Sequence, residues 1–148
     1  MTRSKRLAPA GRVLDERERQ QAEQVALSEK RVAECEAKLA ELERYHADYA
    51  RDFAMQAGRG TGASRLRDYQ VFLARLTQAI SQQTQHLIQV RLERDAELKR
   101  WQQAAQQAKA VGNVMERWRS EEHYAEEQRA QRESDERAQR MPGTRGAA

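Results

Sequence analysis

The residue types that most often perform catalysis or bind metals are few and far apart in this sequence of 148 residues. The three histidines are His46, His86 and His123, and the single cysteine is Cys35. A structural metal needs roughly three or four convergent ligands, which this scatter does not predict. A nucleophilic cysteine needs a basic partner at a fixed position beside it. We therefore expect no metal site, and we expect Cys35 to be a small core residue in a reducing compartment.

A glycine cluster is the one candidate for a phosphate-binding loop. Gly58, Gly60 and Gly62 lie close together, but no Lys-Ser or Lys-Thr pair follows them, and the segment before them has the periodicity of a helix rather than a strand. We interpret the cluster as a turn. The many carboxylates lie on segments predicted to be exposed helix, where they would serve poorly as acid–base catalysts. The sequence therefore predicts a protein that is not an enzyme and binds no cofactor.

The composition is typical of long helices. Leu, Ile, Val and Phe supply only 22 of the 148 residues, while 27 basic and 23 acidic residues nearly cancel. This balance argues against a β-sandwich, a disulfide scaffold and an α/β enzyme with a deep pocket. No apolar run approaches the ~20 residues of a membrane span, and no apolar stretch follows the basic N-terminus as in a secretory signal. We expect a cytoplasmic protein that does not insert into membranes.

Proline and glycine divide the chain into two predicted helices. Pro9 and Pro142 bracket a segment without proline, and only the glycine cluster interrupts it. We predict one coiled-coil domain at 12–140, with helices at 12–57 and 64–140 and a turn at 58–63. The segments 1–11 and 141–148 are expected to be flexible.

Both predicted helices carry a heptad repeat, the pattern of a coiled coil. In the first helix, positions a are Val25, Val32, Leu39, His46 and Phe53, and positions d are Leu14, Cys35, Leu42 and Tyr49. In the second, positions a are Leu66, Leu73, Ile80, Leu87, Trp101, Ala108 and Met115, and positions d are Tyr69, Leu76, Val90, Ala104, Val111 and Trp118. A short turn makes the two helices antiparallel neighbours. The predicted fold is all-α, an antiparallel two-helix coiled-coil hairpin.

The predicted helices differ in length, so the second should extend beyond the first. If the turn pairs residues whose numbers sum to about 120, residue 12 lies opposite residue 108. Residues beyond 108 would then form an unpaired C-terminal overhang. Val111, Met115 and Trp118 are apolar residues in that overhang.

Apolar residues outside the seam (the line of a and d contacts) gather near the turn. Tyr45, Phe72 and Ala79 occupy g positions, which lie on one flank of an antiparallel pair. With the adjoining d residues Leu42, Tyr49 and Leu76, they widen the apolar stripe into a patch. Exposed contiguous apolar surface of this kind marks contact with a partner. The alternative is a locally thickened core in which the tyrosines cover the seam.

Nucleic acid is a further alternative, because the isoelectric point is about 9.5. A nucleic-acid interface clusters Lys and Arg with few acidic residues between them. Arg3, Lys5 and Arg6 form the densest basic cluster, whereas charges alternate in sign over 117–140, as on a solvated helix face. We expect no nucleic-acid partner. Because the hairpin satisfies its own seam, we also expect a monomer when the protein is free.

Three segments resemble the family of the flagellar export protein FliJ. They are residues 39–49 (LAELERYHADY), residues 66–80 (LRDYQVFLARLTQAI) after the glycine turn, and residues 117–122 (RWRSEE) leading into 126–129 (EEQR). The pair Tyr45 and Tyr49, the turn, and the run from Tyr69 to Ile80 are the most specific elements. The resemblance covers nearly the whole chain, but outside these elements the matching sequence is generic coiled coil.

The resemblance implies a non-enzymatic component of the flagellar type III export apparatus. Such proteins are similar to the central stalk of rotary ATPases. They bind the hexameric export ATPase FliI, promote its ring assembly, contact the cytoplasmic domain of the export gate FlhA and exchange with export chaperones. This places the protein in the cytoplasm, peripheral to the inner membrane at the flagellar base. The equivalent stalk of a virulence-type III secretion system, or a purely structural coiled coil, is the alternative.

The resemblance also implies two contact surfaces. The gate-facing residues would be Leu42, Tyr45, Tyr49, Phe72, Leu76 and Ala79, flanked by Lys38 and Gln83. By analogy with a rotary stalk, the end that holds both termini would enter the ATPase ring. Val111, Met115 and Trp118 would then lie near the ring contact.

Overall fold

Two long helices make up nearly all of the described chain. The computed structural model describes residues 1–141, in which α1 runs Arg3–Gly58 and α2 runs Ala63–Gln139. Within that range there is no β-strand. The predicted all-α helical hairpin is therefore confirmed. The tail expected at 141–148 lies outside the described residues except for Met141.

The turn between the helices is built by glycine. Gly60 has a φ of 71°, in the left-handed region that favours glycine. Its N–H donates to the carbonyl of Ala57 at 3.3 Å, and the N–H of Thr61 donates to the carbonyl of Gln56 at 3.2 Å. These are the two bonds of a Schellman motif, which satisfies carbonyls that a helix end leaves without partners. The Thr61 hydroxyl adds a bond of 2.8 Å to the side-chain oxygen of Gln56.

The start of α1 differs from the prediction. The helix begins at Arg3 rather than at residue 12, so the segment 1–11 is not the flexible arm that we expected. Pro9 lies inside the helix, near its N-terminal end. A proline there removes one hydrogen bond, to the carbonyl of Lys5, but the cost is offset because the seam continues on its N-terminal side. Ser4 is buried, and Leu7 and Gly11 are half-buried, at the spacing of the heptad.

Burial follows the predicted heptad along both helices. Every residue assigned above to an a or d position is buried or half-buried. The polar residues at such positions follow the same rule: Ser28 and Gln83 are buried, and Glu18, Gln21, Arg94 and Glu97 are half-buried. The heptad therefore identifies the face by which each helix packs.

The chain forms two compact units, each made from parts of both helices. The first, here the hairpin unit, is Gln20–Gln102. Its core joins Val32 and Cys35 of α1 to Leu87 and Val90 of α2, with Leu39 packed against them. The side-chain amide of Gln83 donates to the backbone carbonyl of Cys35 at 3.1 Å, so a polar residue in this seam has a partner in the facing helix.

The second, here the terminal unit, combines Met1–Arg19 with the chain from Gln103 onward. Arg3 contacts Glu121 and Gly11 contacts Met115, so the helices are antiparallel here too. Residues 123–141 are all exposed. The overhang predicted from residue 109 is therefore shorter, because the early start of α1 extends the pairing as far as Glu122.

Candidate functional site

Four aromatic rings meet near the turn of the hairpin unit, two from each helix. The ring centroids of Tyr49 and Phe72 are 4.3 Å apart, and those of Tyr49 and Tyr69 are 5.8 Å apart. Phe53 extends the cluster, with its centroid 6.2 Å from that of Tyr69. All three ring pairs are tilted, the geometry in which aromatic quadrupoles attract. We call these four residues the aromatic cluster.

The six residues expected to face the export gate separate by exposure. Tyr45 and Phe72 are the outward members, 52% and 38% exposed. Leu42, Tyr49 and Ala79 are half-buried and Leu76 is buried. Two aromatic side chains are thus exposed beside an apolar base.

The two outward side chains line different grooves. Phe72 lines an open groove with Tyr49, Tyr69, Arg65 and Asp68. Tyr45 lines a second open groove, with Ala37, Glu41, Arg44 and Asp48 of α1. The structure therefore brings Phe72 and Tyr49 into direct ring contact, while Tyr45 lies among charged side chains of its own helix.

Two members of the aromatic cluster were missed as surface residues by the sequence reasoning. Tyr69 and Phe53 were assigned only to the seam, but both are half-buried, and Tyr69 lines the same open groove as Phe72. The spacing of Tyr69 and Phe72 was the available signal, because residues three apart in a helix lie side by side. The two residues expected to flank the patch differ in exposure. Lys38 is exposed, whereas Gln83 is buried in the seam.

Polar contacts fasten the two helices of the terminal unit at their last paired residues. Ser4 donates twice to the carboxylate of Glu122, from its hydroxyl to Oε2 at 2.5 Å and from its N–H to Oε1 at 3.1 Å. The guanidinium of Arg3 lies 4.8 Å from the ring centre of Trp118 and 3.2 Å from the carboxylate of Glu121. We call these five residues the terminal clasp.

The clasp has an electrostatic consequence for Glu122. The two hydrogen bonds from Ser4, the side-chain bond above all, lower the pKa of the Glu122 carboxyl below its ordinary value, and the positive charges of Arg3 and Lys5 act in the same direction. Partial burial of the carboxyl opposes this shift. The clasp is thus a contact between α1 and the ionised form of Glu122.

The residues expected at the ATPase contact are not in an unpaired overhang. Met115 is buried, and a Cβ placed on Gly11 would lie 3.0 Å from its sulfur and 3.8 Å from Val111. Trp118 is half-buried beneath Arg3. All three belong to the seam of the terminal unit, because α1 begins early enough to cover them. Gly11 permits this close approach since it has no side chain.

Of the four histidine and cysteine residues, Cys35 and His86 line one open groove with Glu34 and Glu93, whereas His46 and His123 contact other residues. Cys35 is buried in the hairpin unit, where its backbone carbonyl accepts the bond from Gln83. His46 is within 3.3 Å of the Thr77 hydroxyl, and His123 lies 3.1 Å from Glu127. Among residues 1–141, no three His, Cys, Asp or Glu side chains are placed to share a metal ion. The described helices also include none with an apolar stretch sufficient to cross a membrane.

Comparison with known proteins gives one result, and it covers almost the whole chain. A family model described as flagellar FliJ protein matches residues 4–147. No curated protein and no solved structure matches the chain. The matched range includes the hairpin unit with its aromatic cluster and nearly all of the terminal unit. The chain therefore belongs to the family of flagellar FliJ proteins, which are non-enzymatic components of flagellar protein export.

Proposed function

We propose that this protein is a stalk-like component of the flagellar type III export apparatus that binds the export ATPase FliI, promotes its ring assembly and links it to the export gate FlhA and to export chaperones. The observation that carries the proposal is the exposure of Tyr45 and Phe72 on a chain of this family. Binding surfaces are enriched in aromatic residues. Two such side chains, held on a scaffold of two packed helices, suit a protein that acts by contact.

The gate-binding surface in this proposal is the patch formed by Leu42, Tyr45, Tyr49, Phe72, Leu76 and Ala79. Phe72 is supported from below by the ring of Tyr49, which in turn is packed on Tyr69. A side chain held in this way loses little conformational entropy when a partner covers it. Arg65 and Asp68 lie in the same groove and supply a polar rim.

The ATPase contact in this proposal lies on the terminal unit, near Val111, Met115 and Trp118. Met115 is buried against α1, so its part is to hold the two helices together. Trp118 is only half-buried, so of these two it has the surface that a partner can cover. A protein that binds the assembled ring better than its separate subunits shifts the equilibrium toward the ring by mass action.

The proposal also covers location and assembly. We place the protein in the cytoplasm, at the inner face of the membrane where the flagellar base lies, and we expect it to be a monomer when free, because each helix already buries its seam. Light scattering at low micromolar concentration measures the mass directly. A stable dimer would mean that helices pair between chains.

The decisive experiment measures ATP hydrolysis by the export ATPase of the same organism, with and without this protein, over a range of ATPase concentrations. Stimulation should be largest where the ATPase is dilute, because ring assembly is then the limiting step. The matched control is the variant Leu87→Asp, which disrupts the hairpin core while keeping the surface residues. Absence of stimulation, together with absence of co-elution with the ATPase on gel filtration, would overturn the proposal. A stalk of a virulence-type system would instead stimulate a virulence-type ATPase.

A further inference from the structure

A run of residues without charge interrupts α2 within the hairpin unit. Charged side chains make up 34% of the chain, yet the 15 residues from Leu76 to Val90 include none. Packing on α1 accounts for the buried members of this run, such as Gln83 and Leu87. The exposed members are uncharged too, and four of them are glutamine. Because charged side chains are normally found at exposed helix positions, contact with α1 does not explain their absence there.

Two large aliphatic side chains are exposed on the same part of α2. Ile88 is 47% exposed and Leu92 is 58% exposed, and they lie one helical turn apart. Thr84 precedes them by one turn and Ala96 follows by one turn, and both are exposed. The Thr84 hydroxyl donates to the carbonyl of Ile80 at 2.8 Å, so it offers no free donor to the surface. We call Thr84, Ile88, Leu92 and Ala96 the outer stripe.

The outer stripe is distinct from the gate-binding patch. Ile88 and Leu92 occupy heptad positions b and f, whereas Tyr45, Phe72 and Ala79 occupy positions g. Neither b nor f adjoins g on the surface of a helix. A partner that covers the patch therefore leaves the stripe exposed.

The charged residues near the C-terminal end of the stripe are largely paired. Arg91 lies 3.1 Å from the carboxylate of Glu36 on α1, and Arg94 lies 3.2 Å from that of Asp95. A charge brought against the stripe would lose its water without gaining a counter-ion. The surface that fits the stripe is therefore uncharged at its centre, as the centres of protein interfaces usually are.

The shape of the stripe indicates a helix as the partner element. Ridges of residues four apart are the ridges that enter the grooves of a second helix when two helices pack. Thr84 and Ala96 are separated by about 18 Å along the helix axis, so at a width of ~10 Å the stripe covers roughly 200 Å². A stable interface covers about 800 Å² on each partner. A second copy of this chain, which would have only this contact, would not be held by it.

We propose that the outer stripe packs against an amphipathic helix of another protein in the same assembly, one that presents an aliphatic stripe with uncharged flanks. The proposal rests on the proposed function, because the export apparatus provides the neighbouring protein and holds it close. A contact too small to bind alone then adds to the other contacts of that protein. It is a third contact surface, separate from the gate-binding patch and from the terminal unit.

The test is site-specific crosslinking of the full-length protein in its own cells. A photo-crosslinking amino acid replaces Leu92, and the matched control has it in place of Leu27 on α1. Leu27 is 49% exposed in the same unit, but Glu23 and Arg31 lie one turn away on either side. We expect a protein adduct of defined mass from position 92 and none from position 27. Mass spectrometry should place the crosslink on the apolar face of a helix.

Two charge substitutions in the chain with the crosslinker at position 92 test whether the contact is uncharged. Gln85 lies two turns before Leu92 at the same heptad position and is exposed. Gln85→Glu and Gln85→Lys should each reduce the adduct about tenfold, because a charge of either sign must lose its water there. Gln24→Glu, at an exposed position of α1, should leave the adduct unchanged. Loss with only one sign of charge would mean a charged partner and would overturn the proposal.

The remaining outcomes separate this proposal from the proposed function. An adduct of twice the chain mass would assign the stripe to a second copy, and an equal adduct from position 27 would mean contact without specificity. Either result would overturn the proposal. Absence of an adduct from position 92, in a protein that still stimulates the ATPase and binds the gate domain, would overturn this proposal alone. Gln85→Glu should keep both of those activities, and their loss would show that the stripe is not a separate surface.

Discussion

The side-chain amide of Gln83 on α2 is bonded to the backbone carbonyl of Cys35 on α1 across the seam of the hairpin unit, at 3.1 Å. The carbonyl lies within α1, where the helix supplies its usual partner four residues on, so it does not depend on Gln83. The bond therefore contributes more to the alignment of the helices than to stability. Buried polar residues in coiled coils have this role in other systems.

The variant Gln83→Leu tests this interpretation. Because an apolar side chain of similar size replaces a polar one in the seam, we expect the free energy of unfolding to rise by up to about 1 kcal/mol. Gln83→Ala should instead lower it by ~1 kcal/mol, since it leaves a space in the seam. Chemical denaturation measures both values. A loss in Gln83→Leu as large as in Gln83→Ala would mean that the hydrogen bond itself stabilises the hairpin.

The outward aromatic side chains give a prediction about binding. Phe72→Ala and Tyr45→Ala should each weaken binding to the cytoplasmic domain of the export gate by about 2 kcal/mol, because each removes an aromatic anchor from the patch. Swimming motility should be lost, while helicity by circular dichroism stays nearly the same. Titration calorimetry and motility plates provide the two measurements.

The matched control for this pair is Val71→Ala. Val71 is 48% exposed and adjoins Phe72 in the sequence, but it lies at heptad position f, directed away from the seam and the aromatic cluster. We expect no effect on binding or motility. Normal motility in both aromatic variants would contradict the assignment of the patch, whereas loss in all three variants would point to a general defect in α2.

Two glycines within the helices of the terminal unit should respond differently to alanine. A Cβ on Gly112 would meet nothing within 4 Å, so Gly112→Ala should stabilise the protein by ~1 kcal/mol through helix propensity alone. A Cβ on Gly11 would lie 3.0 Å from the Met115 sulfur, so Gly11→Ala should gain less, because Met115 must shift. Thermal unfolding of the two variants makes the comparison. Equal gains would show that the Met115 side chain can shift without cost.

The terminal clasp predicts how the protein responds to acid. Since the folded-state pKa of Glu122 is below its ordinary value of 4.5, the clasp stabilises the protein fully above that value and is lost as the pH falls through the lowered pKa. Glu122→Gln should therefore have a lower Tm than the original protein at neutral pH, and the difference should shrink in acid. A difference that persists unchanged in acid would contradict this account.

The hydrogen bonds from Ser4 are the main cause of that shift, which allows a direct test. In the variant Ser4→Ala, the pKa of Glu122 should move back toward 4.5, because the side-chain bond is removed and only the N–H remains. A carbon-13 NMR titration of the Glu122 carboxyl in both proteins measures this change. An unchanged pKa in Ser4→Ala would assign the shift to the N–H of residue 4 and to the charges of Arg3 and Lys5 instead.

The heptad predicted the seam well because burial in a two-helix hairpin depends mainly on which face each residue occupies. It places Tyr49 and Phe72 in the same patch, and their rings are in contact. The prediction failed at Pro9, which was read as a barrier to the helix. Position decided the outcome: close to the helix start, one missing hydrogen bond was outweighed by the seam contacts of Ser4 and Leu7.

The aromatic cluster and the clasp show which details the sequence pattern leaves open. Heptad positions assign Tyr69 to a face but do not say how its ring tilts or which groove it lines. The contact between Ser4 and Glu122 joins residues from the two ends of the chain, and nothing local in either segment indicates it. Such contacts depend on the residue at which α1 and α2 stop packing on each other. A shift of a few residues in the start of one helix changes that point.

Among the described residues, no side chain is fully buried. A seam between two helices is a single line of contacts, so each layer touches little more than the layers directly above and below it. A substitution at one level therefore perturbs few others, and the energies of distant changes should add. The aromatic cluster and the clasp can accordingly be altered one at a time without loss of the scaffold.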